Sequence, residues 1–179
     1  MVAQMDKKQL ELVLSHLDAA GRVKMVDVSE KDKTWRQATA KGSIKMQKRT
    51  IELIQTGKTK KGNVLETARI AGIMAAKKTS DLIPLCHPIQ LSKVELYFNP
   101  DEAGKTIEIE ATVKAFDRTG VEMEALMAVA SAALTIYDMC KAVDREMTIN
   151  DIRLVYKSGG RSGVFEREGE KKTNSELRL

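Results

Sequence analysis

The stretch Thr106-Ile107-Glu108-Ile109-Glu110-Ala111-Thr112-Val113-Lys114-Ala115-Phe116 alternates polar and apolar residues as far as Ala115, and from Val121 to Val143 the apolar residues instead spread around a helical circumference. Alternation at period two is what a half-buried strand requires, whereas apolar residues on all sides mark a buried helix. Upstream, Lys93 to Phe98 repeats the strand pattern, and Pro100 and Gly104 mark a turn, so the two runs read as a hairpin. Thr119, three residues before Glu122, carries the signature of a capping box that opens the helix. That helix holds Met123, Met127, Met139, Ser131 and several alanines, a composition suited to close packing in a deep core or at a subunit interface.

Working outward, Val64 to Ala75 keeps a helical apolar pattern behind Asn63 as N-cap, and the helix should stop before Pro84. Ile51 to Ile54 forms a short helical turn closed by Gly57, followed by a basic loop containing Lys58, Lys60, Lys61 and Gly62. Met25 to Val28 and Trp35 to Met46 alternate enough for strands or an extended hairpin, and Ile152 to Tyr156 supplies a last strand. The order is that of an α+β, ferredoxin-like split β-α-β-β-α-β sandwich with an extra N-terminal strand layer.

A chain of 179 residues with 42% apolar and 31% charged residues can bury a core as a single domain. The domain is expected over residues 14–167, between charge-rich mobile tails at 1–13 and 168–179. A formal charge of +5 favours anionic partners without choosing among them. No run approaches the roughly 18 uninterrupted apolar residues of a membrane span and no secretory pattern opens the chain, so a cytoplasmic protein without membrane attachment is expected. Cys86 and Cys140 read as two reduced thiols, and with only His16 and His87 beside them no four-ligand zinc site is expected.

Several segments carry residue types suited to chemistry. Pro84-Leu85-Cys86-His87-Pro88 holds a histidine between two prolines, rigid enough to present it to a ligand and equally suited to capping a neighbouring carbonyl. Asp138 and Lys141, spaced i, i+3 among apolar neighbours, are expected to form a partly buried pair in which the lysine pKa is lowered towards proton-transfer use. Lys157-Ser158-Gly159-Gly160-Arg161-Ser162-Gly163 has the ingredients of an anion-binding nest, or of an ordinary exposed glycine loop. Glu122 is explained by the capping box, Glu124 is not, and Lys77 suits a helix C-terminus. Gly57-Lys58-Thr59 is no P-loop, because the position five before Gly57 is Glu52.

Taken together, Lys61-Gly62-Asn63-Val64-Leu65, Ala68-Arg69-Ile70-Ala71-Gly72-Ile73, Leu85-Cys86-His87-Pro88, Gly120-Val121-Glu122-Met123-Glu124-Ala125-Leu126 and Ile136-Tyr137-Asp138-Met139-Cys140-Lys141-Ala142 resemble the cyclic pyranopterin monophosphate synthase family. The resemblance runs from about His16 to the Lys157-Ser158-Gly159-Gly160 loop. It implies a ferredoxin-like protomer in a homohexamer, a trimer of dimers with active sites at dimer interfaces. It further implies a small-molecule nucleotide substrate, 3',8-cyclo-7,8-dihydro-GTP, converted to cyclic pyranopterin monophosphate and pyrophosphate in molybdenum cofactor biosynthesis. On this reading Asp138, Lys141 and Lys61 are catalytic. Leu85, Cys86, His87, Glu122, Met123, Glu124, Lys77 and Lys157 bind substrate, with Lys61, Lys77 and the Lys157 loop on the triphosphate. No cofactor is required, no metal site is implied, and magnesium accompanying the triphosphate is left open.

One geometric expectation is independent of the resemblance. In a straight helix Glu124 and Asp138 lie 138 − 124 = 14 residues apart, or about 21 Å. A single nucleotide does not easily join both within one chain, so if both serve one site a second, antiparallel copy of the helix must bring them together. Two other classes compete. A basic RNA-binding module would display stacking aromatics, and this chain has one Trp, three Tyr and three Phe with no ribonucleoprotein motif, so no nucleic-acid partner is expected. A non-catalytic, nucleotide-binding regulatory oligomer is opposed by the Asp138 and Lys141 pair.

Overall fold

In the computed structural model the described residues are 20–57, 61–101, 103 and 105–170. The expected N-terminal tail, His16, Lys58 to Lys60, Gly104 and the end of the chain after 170 lie outside them. Strand β1 (Thr34–Lys45) leads to helix α1 (Lys48–Gln55), then to α2 (Val64–Lys77) and the single turn α3 (Thr79–Leu82). The hairpin β2 (Leu91–Asp101) and β3 (Thr106–Asp117), the long helix α4 (Glu122–Cys140), β4 (Thr148–Ser158) and the two-residue β5 (Phe165–Glu166) complete the order. The sheet runs β2-β3-β1-β4-β5 with every neighbouring pair antiparallel, which is the split β-α-β-β-α-β arrangement.

Small residues set how closely the layers approach. On β1 the positions facing the helices are Ala38, Ala40, Gly42 and Ile44, and on β3 they include Ala111, Val113 and Ala115, all buried. Against them α4 turns Ala125, Ala128, Val129, Ala132 and Ile136. A Cβ on Gly42 would stand 2.7 Å from Val129 Cγ1, so the strand passes directly beneath the helix. The same device joins the helices. A Cβ on Gly72 would lie 2.9 Å from the Ala128 carbonyl oxygen and collide with Leu96, while Ser131 Oγ donates to Ala71 O at 3.4 Å. With Lys61 bonded to Asp138 farther along, these contacts show α2 and α4 packed antiparallel.

Local signals explain most boundaries. The Asn63 side chain accepts the Glu66 N–H and caps α2, Gly57 leaves α1 with φ of 65°, and α3 ends before Pro84. α1 has no capping side chain of its own. Instead the buried Asp144 carboxylate accepts the Gln47 N–H at 2.7 Å and the Thr50 hydroxyl at 3.1 Å, a cap delivered from 97 residues away.

Several expectations differ in detail. Of the two forms its alternation allows, the Trp35 to Met46 run takes the strand, at the centre of the sheet. Met25 to Val28 forms no regular strand, because Val23 and Met25 are exposed and bury no alternating face, so the extra N-terminal layer is an irregular segment. The Thr119 to Glu122 capping box is not made: Val121 is the N-cap, with no side-chain cap, and Glu122 is already in the first turn. Pro100 lies within β2, tolerated because that strand is the sheet edge. By length and composition α4 meets the requirement for a membrane span, a consequence of its alanine-rich burial between sheet and α2.

Replacing Gly72 by Ala should lower unfolding free energy by about 1 to 3 kcal/mol through overpacking, although Ala is the better helix former by about 1 kcal/mol. Denaturant unfolding followed by circular dichroism measures it, and an unchanged midpoint would contradict the close helix contact.

Candidate active site

Antiparallel packing of α2 on α4 places chemically active residues at the two ends of the helix pair. At the first end, the Leu85 to Pro88 segment after α3 meets the start of α4 and the irregular Val26 to Val28 segment around a cavity of about 310 Å³. Leu85, Cys86, His87, Glu122, Met123 and Glu124 all line it. His87 Nε2 donates to the Val26 carbonyl at 2.8 Å, so its ring ties the N-terminal segment over the cavity, the capping role left open by the sequence.

Glu124 is the most perturbed group here. It is 3% exposed, and burial, reinforced by the neighbouring Glu122 carboxylate and only partly offset by a backbone N–H, raises its pKa to about 7. The Cys86 thiol is raised by burial and by Glu124, which keeps it a thiol rather than a nucleophile. Among the described residues no group of three or more His, Cys, Asp or Glu could hold a metal ion.

A second cavity of about 590 Å³ shares Lys31, Thr119, Gly120 and Glu122 with the first. Five cations line it, Lys31, Arg36, Arg118, Lys157 and Arg161, against two carboxylates, Asp32 and Glu122. Gly159 and Gly160 have φ of 95° and 75°, and a Cβ on Gly159 would collide with the Trp35 backbone carbonyl, so glycine there lets the loop lie against β1, with Gly160 on the Arg36 guanidinium. Arg36 is itself fixed by donating to the carbonyls of Asp117 and Arg118, at 3.1 Å each. Lys157 bonds to Ser162 within the loop. Sequence reasoning selected the loop but missed Lys31, Arg36 and Arg118, which belong to no local motif and converge only through the β1-β3 pairing.

At the opposite end of the helix pair, Asp138 Oδ1 meets Lys141 Nζ at 2.7 Å and Oδ2 meets Lys61 Nζ at 3.6 Å, while Lys61 also donates to Asp138 O at 2.9 Å. The expected partial burial and lowered lysine pKa do not occur in the single chain. The Asp138 and Lys141 side chains are 61% and 52% exposed. Lys141 holds the aspartate below its usual range, and Asp138 raises the lysine. The reason is rotational: Ile136 and Cys140 take the core face of that turn and leave Asp138 outside.

Lys61 therefore does not join Lys77 and Lys157 in one chain. Lys77 ends α2, and the antiparallel packing puts it at the Glu122 end, whereas Lys61 precedes α2 at the Asp138 end. Between the ends the helix pair exposes Ile70, Met74 and Leu134.

A sequence profile of the MoaC family matches residues 25–160. The cyclic pyranopterin monophosphate synthase of Pelotomaculum thermopropionicum is 59% identical over 157 residues, covering 88% of this chain and 92% of the relative. Those of Chloroflexus aggregans and Roseiflexus sp. are 61% and 60% identical, covering 87% and 85% of this chain and 94% and 96% of theirs.

Glu124 gives this end a measurable pH signature. Its folded pKa, about 7, lies above the unfolded carboxylate value, so the folded state binds the extra proton and stability falls as pH rises from about 4.5 to 7. Glu124→Gln should abolish that fall and gain about 3 kcal/mol at pH 8. Unfolding curves at pH 5 and pH 8 compare the two proteins, and parallel pH dependence would overturn the assignment.

Proposed function

The chain belongs to the MoaC family, and from that premise we propose that it is a cyclic pyranopterin monophosphate synthase of molybdenum cofactor biosynthesis. It converts 3',8-cyclo-7,8-dihydro-GTP to cyclic pyranopterin monophosphate and pyrophosphate. The observation that carries the chemistry is the shared wall between a cavity lined by five cations and one holding a carboxyl that titrates near neutrality.

The triphosphate sits in the cation-lined cavity, where Lys157 and its neighbours offset charge on the departing pyrophosphate. A ribose hydroxyl oxygen bonds to the α-phosphorus as the bond to the bridging oxygen of pyrophosphate breaks, and the hydroxyl proton passes to a base. The purine-to-pterin rearrangement needs a group able both to take and to give protons near pH 7. Glu124 meets that condition in the isolated chain. Asp138 with Lys141 and Lys61 supplies an ionised set. Any magnesium would arrive with the triphosphate.

The two ends cannot serve one substrate within a chain, since they are about 21 Å apart along α4. The reading therefore includes a two-fold partner whose α4 runs antiparallel and brings its Asp138 end to this chain's Glu124 end. The exposed Ile70, Met74 and Leu134 between the ends favour such a contact. Burial there would favour neutral Lys141 and shift it towards proton transfer. Three such dimers would make the hexamer, acting in the cytoplasm on a small nucleotide without nucleic acid or membrane.

Asp138→Asn should lower turnover at least about 100-fold while leaving assembly intact. Mixing subunits carrying Asp138→Asn with subunits carrying Glu124→Gln should restore up to about a quarter of native activity, because each mixed dimer regains one native site. Product and pyrophosphate are followed together. An active Asp138→Asn enzyme would remove the aspartate from the mechanism, and failure to complement would remove the shared site. Tight binding by the native protein without either product would leave a non-catalytic nucleotide-binding oligomer.

A further inference from the structure

We propose that Glu170 is a positioning residue for the cation-lined cavity, latching the returning strand of the Lys157 to Gly163 loop to the sheet through Arg153 and Lys41. The inference rests on the reading of that cavity as the triphosphate seat.

After the loop, β5 returns along β4 with only Tyr156 against Glu166 and Lys157 against Phe165. Two paired residues make a marginal strand. Apolar burial does not hold the segment either, since residues 161–169 are all exposed and Val164 is 64% so. Glu170 is the exception in that stretch, with its side chain 18% exposed. Its Oε1 lies 2.6 Å from Arg153 Nε and its Oε2 lies 3.4 Å from Lys41 Nζ. Behind the loop, Arg167 donates its N–H to Val155 O at 2.9 Å and its Nε to Leu154 O at 2.8 Å.

The bridge answers an electrostatic need of the sheet. Lys41 and Arg153 are register partners across β1 and β4, and like charges directly opposite one another are unfavourable. Glu110, opposite Lys41 on β3, offsets part of this at 3.8 Å from Lys41 Nζ, and Glu170 reaches both cations. The loop held in this way contains Gly159, Gly160 and Gly163, all at positive φ, and ordering such a segment is entropically costly. A loop fixed before the anion arrives does not charge that cost to binding. Neither Lys41 nor Arg153, the ion-pair partners of Glu170 among the described residues, lines the cavity, so Glu170 acts through the loop.

The test uses full-length protein carrying Glu170→Gln, which keeps shape and removes the charge, alongside Arg153→Gln and the double variant. Hydrogen exchange at the Arg167 amide should quicken about tenfold, and the pyrophosphate dissociation constant and substrate KM should each rise about five- to tenfold. The kcat should stay within about twofold, the melting temperature should fall by only about 2 to 4 °C as Lys41 and Arg153 lose their shared counter-ion, and the double variant should be no worse than either single one. Unchanged pyrophosphate affinity and KM in Glu170→Gln, or a loss confined to kcat, would overturn the latch while leaving the cavity's role intact. A native protein that binds no pyrophosphate would overturn the reading of the cavity and this inference with it.

Discussion

Everything at the two ends of this domain depends on how closely α4 lies against β1 and α2. Gly42 beneath Val129 and Gly72 against the Ala128 carbonyl leave no room for a Cβ, and the surrounding positions are alanines. Interiors are packed at crystal-like density, so such a contact behaves as a fixed distance rather than a soft one. The helix becomes a ruler. One end is held over the Leu85 to Pro88 segment and the other beside Lys61, and neither can slide without opening the core.

That rigidity has a chemical use, because the ends carry different kinds of group. Around Glu124 the surroundings are closed by Val26, Cys86 and Met123, and of the five cations only Lys31 reaches this cavity, the other four lining the adjacent one. Around Asp138 the surroundings are open and two ammonium groups lie within 4 Å. A nucleotide has a similar division: a polyanionic tail, and a heterocycle whose rearrangement requires proton movement. The cation-lined cavity and the Glu124 cavity match that division side by side, and the loop bearing Lys157 borders the first through Gly159, a position its positive φ and the Trp35 carbonyl reserve for glycine.

Much of this was legible in the chain. The period change after Phe116, the Asn63 cap and the turn residue Gly57 decided element types because each is a local signal that the folded structure also satisfies. What failed had non-local causes. The cap of α1 comes from Asp144, 97 residues away, and no pattern near Lys48 could announce it. Arg36 sits at an ordinary alternating position, and only pairing with β3 shows that it is held on the Asp117 and Arg118 carbonyls. The apolar sequence neighbours of Asp138 and Lys141 suggest a partly buried pair, but on a helix those neighbours face other directions.

The protonation states at the ends of α4 also show which force dominates. The helix dipole favours a negative charge in the first turn and disfavours one in the last, by about 0.3 to 1 kcal/mol at exposed positions. On that effect alone, Glu124 would ionise easily and Asp138 reluctantly. The opposite holds, with Glu124 raised to about 7 and Asp138 lowered. A shift from the ordinary value of 4.5 to about 7 corresponds to roughly 3 kcal/mol, so burial outweighs the dipole severalfold at the first end. At the other end two lysines overcome it in water, where each ion pair is weak, by acting on the same carboxylate. Groups whose surroundings drive their pKa values apart can divide acid and base roles. A single rigid helix thus displays a carboxyl that exchanges its proton at neutral pH and a carboxylate that does not.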